Sequence, residues 1–134
     1  MFFTTIRDAI VERHDELGAV RSLIMDFEQA AHDSARAVMG IQTRGCLFHF
    51  GQCLIRRLQK EGAMTAYETN LGGVREWVGL LKSMALLPPE LVQYTWNNWI
   101  SNPPHVHDPL LQAKLQRFAV YFQVIQSHSS TYII

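Results

Sequence analysis

The apolar spacing of this chain changes period within its first fifty residues and then stays helical, and that switch limits the folds open to it. Phe2, Phe3, Ile6, Ala9 and Ile10 recur at helical spacing, which predicts an amphipathic helix running to about Glu16 before Gly18 interrupts it. Residues 20–25 are a short, mostly apolar run ending at Asp26, the pattern of a strand. Phe27, Ala30, Ala31, Ser34, Ala35 and Val38 then mark one face of a helix, and Gly40 supplies its stop. From Gln42 to Phe48 a second strand is expected, because Cys46, Leu47 and Phe48 form a bulky apolar run with Gly45 just upstream. Two strands joined by a helix form a parallel pair.

Beyond His49 the pattern is helical almost throughout. Leu54, Ile55 and Leu58 predict a helix ending near Gly62, and Val74, Trp77, Val78, Leu81 and Met84 or Ala85 predict another after Gly72-Gly73. Pro88-Pro89 stops that helix and starts the next, whose stripe is Val92, Trp96, Trp99 and Ile100. The three tryptophans Trp77, Trp96 and Trp99 are expected in the core. A proline-rich loop from Ser101 to Pro109 precedes a last helix on Leu111, Leu115, Phe118, Phe122 and Ile125, and residues 127–134 read as a tail. The expected fold class is therefore α/β but mostly helical, with a two-stranded parallel unit followed by an all-helical region. So small a parallel sheet is not stable alone, and either the helical half or further strands must cover it.

Composition narrows the function classes. Twelve basic and twelve acidic residues cancel, so the long-range field that draws many proteins to nucleic acid is missing, and any DNA contact must come from a local patch. Two cysteines separated by only six residues do not make a disulfide scaffold, which points to a reducing compartment. Neither a signal peptide nor the roughly 20 apolar residues of a membrane span is recognisable, so the expectation is a soluble intracellular protein without a membrane partner.

Three groups of residues can carry chemistry. Asp26 ends a strand and begins a helix, where it can cap the helix with Gln29 as capping-box partner and Glu28 favouring the dipole, or hold a divalent ion. Phosphodiester chemistry on metal ions needs further carboxylates from elsewhere. Cys46 and His49, with Cys53 beyond them, are zinc-compatible donors that would share one face if the segment were helical, yet a structural zinc site takes four ligands and His105 and His107 lie in a distant loop. The alternative is a buried cysteine with a hydrogen-bonded histidine. Arg56, Arg57 and Lys60 cluster on one helix and are candidates for phosphate contact, against the alternative of a solvated helix face.

Taken in order, Asp26 to Ala30, Arg44 to Gln52 with its Cys46-x-x-His49, and Arg56 to Gly62 resemble the central part of the transposase domain of Mutator-like elements (MULE). Val74-Arg75-Glu76-Trp77 and the run Leu86 to Val92 resemble the helical insertion that follows, so the resemblance covers residues 1 to about 125. It implies a partial RNase H-like core over 1–62, a helical insertion over 63–126 and a tail over 127–134. It also implies that Asp26 matches the second of three catalytic carboxylates that hold Mg²⁺ in the parent enzyme, for cut-and-paste transposition at transposon ends in the nucleus. Cys46 and His49 match the motif characteristic of that superfamily. The first aspartate would belong to a strand upstream, and the final glutamate should follow the insertion, whereas no glutamate occurs after Glu90. The chain is thus expected to be a transposase-derived fragment, inactive alone and binding no metal stably. The alternative is a domesticated helical module that binds a protein or DNA without catalysis, its own partner unspecified.

Overall fold

The computed structural model describes residues 1–14, 20–26 and 29–128. Among them the chain is mostly helical with one two-stranded parallel sheet, in the order α1 (Phe2–His14), β1 (Ser22–Met25), α2 (Gln29–Met39), β2 (Gln42–Gly45), α3 (Leu47–Glu61), α4 (Met64–Glu68), α5 (Val74–Ser83), α6 (Pro89–Thr95) and α7 (Pro109–His128). Compact packing divides the described residues inside α3, with those up to residue 49 in one unit and 50–128 in the other. α3 ends at Glu61, one residue before the boundary at 62 that the family resemblance implies, whereas the packing boundary falls after residue 49. No helix among the described residues is long and apolar enough to cross a membrane.

In the first unit, β1 and β2 pair in the register Ser22 to Gln42 and Met25 to Gly45, as the strand-helix-strand pattern requires. The Cys46 amide extends this ladder by donating to the Met25 carbonyl at 2.8 Å. α2 lies against β2, and α1 packs on α2. Arg36 ties helix to strand through its Nε, which donates to the hydroxyl of buried Thr43 at 2.8 Å. Gly40 ends α2 at φ +64°, a left-handed position that glycine occupies without the steric penalty of a Cβ.

Two expectations for this unit are corrected. The buried face of α2 is His32, Ala35 and Met39, spaced i, i+3, i+7, while Ala30 and Ser34 are exposed. Phe27 lies outside the described residues. The second strand stops at Gly45 rather than Phe48, because the apolar run belongs to α3: Phe50, Leu54 and Leu58 are buried at i, i+4, i+8, and Phe48 is left exposed.

The second unit holds most of the apolar core. Leu54 and Leu58 of α3, Val74, Trp77, Val78 and Leu81 of α5, and Leu115, Phe118 and Phe122 of α7 are buried together with Met84. Phe122 stacks on Trp96 at 5.3 Å between centroids, and Phe118 meets the edge of Trp77 at 5.7 Å. Burying the Trp77 indole leaves one donor to satisfy, and its Nε1–H donates to the Ile100 carbonyl at 2.9 Å. Gly62 closes α3 in a Schellman arrangement: its amide donates to the Gln59 carbonyl and the Ala63 amide to Leu58, with Gly62 at φ +75°.

The short α4 is not visible in the apolar spacing, since one and a half turns carry too few core positions. Trp99 also departs from expectation and is 76% exposed. Residues Trp96–Ile100 form a π-helical turn, in which the Ser101 amide reaches back five residues to the Trp96 carbonyl. The extra residue in that turn keeps Trp96 and Ile100 inside and rotates Trp99 out. α7 continues to His128, so the first two residues assigned to a tail are helical, and 129–134 lie outside the described residues.

Candidate functional site

The chemistry-bearing residues of the first unit gather at the carboxyl ends of its two parallel strands. Asp26 follows β1 directly, and Cys46 follows β2 at the adjacent place in the ladder. α3 then begins at Leu47 and carries His49 in its first turn. The open edge beyond the strand ends is where α/β sheets present ligand-binding groups, since side chains from neighbouring strands converge there without belonging to the core.

Two histidines flank Asp26. The His32 Nε2–H donates to the Asp26 main-chain carbonyl at 2.7 Å. That bond puts a proton on Nε2, because a carbonyl can only accept, and His32 Nδ1 is buried with no hydrogen-bond partner. His49 approaches from the first turn of α3, its Nδ1 3.6 Å from Asp26 Oδ1. This separation is too long for a hydrogen bond but short enough for charge attraction once the imidazole is protonated. The Asp26 side chain is 69% exposed and that of His49 is 41% exposed, but the Nδ1 that faces Asp26 is itself buried and has no hydrogen-bond partner. Whether Asp26 also caps α2, with Glu28 and Gln29 as its helpers, turns on residues outside the described part of the chain.

The arrangement joins Asp26 and His49 and sets Cys46 beside them. Neither Cys46 nor Cys53 is in a disulfide. No group of three or more His, Cys, Asp or Glu among the described residues is arranged to hold a metal ion. One solvated carboxylate with an imidazole beside it matches neither the four-ligand shell of structural zinc nor the several oxygen ligands of a Mg²⁺ pair. The described residues therefore do not fit a two-ion centre by themselves.

The basic candidates lie in the second unit and differ among themselves. Arg56 and Lys60 are exposed one turn apart on α3. Arg57 instead turns into its own unit, where it pairs with Glu61 at 2.6 Å and lies over the Tyr121 ring at 4.4 Å. Glu61 also accepts from Arg117 Nε at 2.9 Å, and its side chain is only 9% exposed. The Arg117 hydrogen bond holds the Glu61 carboxyl below the usual carboxylate range, assisted by the Arg57 charge and opposed by burial. Burial raises the Tyr121 phenol above its ordinary value, with a further push from Cys53 and an opposing pull from Arg57.

His32 is the site residue that the sequence reading missed. Its spacing with Ala35 and Met39 is the available signal, since a histidine in register with two apolar positions sits on the buried face. No protein-family model matches the chain, and no curated protein or solved structure matches it.

Proposed function

We propose that the chain derives from a Mutator-like transposase, with the β1-α2-β2 segment as part of an RNase H-like core and the helices after α3 as its insertion. Asp26 is then one carboxylate of a metal-dependent DNA strand-transfer site, and two further carboxylates have to come from other polypeptide. The observation that supports this reading is the position of Asp26 at the carboxyl end of β1 with His49 of the Cys-x-x-His motif 3.6 Å away. The reading carries with it a nuclear location and transposon ends as the parent enzyme's DNA partner.

In-line attack on a phosphodiester requires a pocket that binds two cations and stabilises charge on both the attacking and leaving oxygens. A single carboxylate cannot do so, and the purified chain is expected to leave supercoiled DNA uncut in Mg²⁺ or Mn²⁺. Nicking by the wild-type chain that disappears in Asp26→Asn would contradict this and make the chain a nuclease in its own right.

A second reading, a domesticated helical module without catalysis, is favoured by Trp99, a residue 76% exposed. A gel-shift assay separates its DNA-binding form from the first reading's core segment. Retardation that Arg56→Ala and Lys60→Ala abolish, and that Asp26→Asn leaves intact, would assign DNA binding to α3.

A further inference from the structure

α7 is apolar on two opposite faces. Leu115, Phe118 and Phe122 fill the core, while Leu110, Val120 and Val124 on the other side are 64%, 54% and 49% exposed. A helix with one apolar stripe is satisfied by one neighbour, whereas two opposed stripes are the pattern of a helix with neighbours on both sides. The outer stripe has a regular spacing. Leu110, Ala113, Arg117, Val120 and Val124 follow one another at alternating three- and four-residue steps, the interval at which a second helix lies along the first with its side chains interlocked.

The stripe also forms one wall of a groove of about 580 Å³, which Arg57 of α3 helps to line together with Ala113, Arg117, Val120, Tyr121 and Val124. Ala113, Val120, Tyr121 and Val124 make its apolar walls, and Gln116 and the two arginines complete the lining. Its charge is not neutral, although the chain's is: Arg57 and Arg117 share the single carboxylate of Glu61. Lys114, one turn before, adds a third cation on the same side of α7, with its Nζ 3.4 Å from the Gly62 carbonyl.

We propose that this outer face of α7, from Leu110 to Val124, docks an amphipathic helix of another protein whose apolar stripe is flanked by acidic residues. Charge decides between this occupant and a second copy of the chain. Pairing α7 with itself would bring Lys114 and Arg117 near their own counterparts, and like charges across such a seam oppose association. Acidic flanks would instead meet Lys114 and Arg57, and Arg117 within the stripe would fix the register. The proposal is independent of the carboxylate chemistry of the first unit.

The test is a fluorescence-anisotropy titration of the full chain against three-heptad helical peptides with Leu at the seam positions and either Glu or Lys at the flanks. The Glu-flanked peptide is expected to bind, more weakly as salt is raised, and the Lys-flanked peptide is not. The double variant Val120→Glu, Val124→Glu is expected to lose affinity for the Glu-flanked peptide by about tenfold or more. Both side chains are exposed, so the variant's thermal unfolding should match wild type. No binding of the Glu-flanked peptide, equal binding of the two peptides, or an unchanged affinity in the double variant would overturn the proposal. So would sedimentation showing a wild-type dimer that the double variant dissolves, since the face would then belong to a second copy.

Discussion

Glu61 holds two arginines on a side chain that is 9% exposed, and folding fixes its carboxyl in the charged form. A carboxyl whose folded pKa lies below its unfolded one stabilises the fold above the unfolded value, about 4.5, and loses that contribution as pH falls through the lowered folded value. Glu61→Gln removes the charge but keeps the shape. It is expected to lower stability at neutral pH by about 1–3 kcal/mol, the usual worth of hydrogen bonds to a charged group, in urea unfolding. The gap between variant and wild type should narrow below pH 4; a constant gap would mean that the cost is steric. Asp26→Asn is expected to behave differently. With its side chain 69% exposed, stability in urea unfolding should change by less than about 0.5 kcal/mol. Asp26, Cys46, His49, Arg56, Arg57 and Lys60 were all legible as candidates from residue type and spacing. That Arg57 lies over Tyr121 and shares Glu61 with Arg117 was not, because Tyr121 and Arg117 come from a helix about sixty residues away in sequence.

At the scale of elements, the apolar periods locate nearly every long helix, and the errors fall where two periods overlap. Cys46-Leu47-Phe48 is apolar enough for a strand, but the true strand, Gln42–Gly45, is polar apart from its glycine and is held by ladder hydrogen bonds. The helical repeat of Phe50, Leu54 and Leu58 wins the segment because it buries three large side chains. Trp99 fails for a related reason: one π turn shifts the register, and a tryptophan in phase with Trp96 in an unbroken α-helix is turned to solvent. Gly62 and Gly40, by contrast, were readable as helix stops and occupy left-handed conformations. Gly62→Ala is expected to cost about 1–2 kcal/mol, since a Cβ strains that conformation. Its nearest neighbour would be the flexible end of Lys114, so a thermal melt reports backbone strain rather than a clash. Gly72→Ala should cost more, because it combines φ +58° with a Cβ 3.2 Å from the His105 carbonyl. Equal midpoints for the two variants would refute that ordering.

For the whole molecule, the uneven distribution of core predicts uneven stability. The second unit buries Leu54, Leu58, Leu81, Phe118 and Phe122 completely, while the first rests on a two-stranded sheet of four residues per strand. Hydrogen exchange is expected to be slowest at the amides of α3, α5 and α7 within the second unit, and faster by at least about tenfold in β1 and β2. Equal protection would indicate that the small sheet is covered far better than its size suggests. The same imbalance suits the transposase reading, in which the strand pair is a part of a larger sheet. That reading is tested most directly by sequencing the DNA on both sides of the codons for this chain. The account predicts an upstream stretch encoding strands that include one ending in aspartate, and a downstream helix bearing a glutamate, whether intact or interrupted by later mutations. Flanks that encode neither would contradict it.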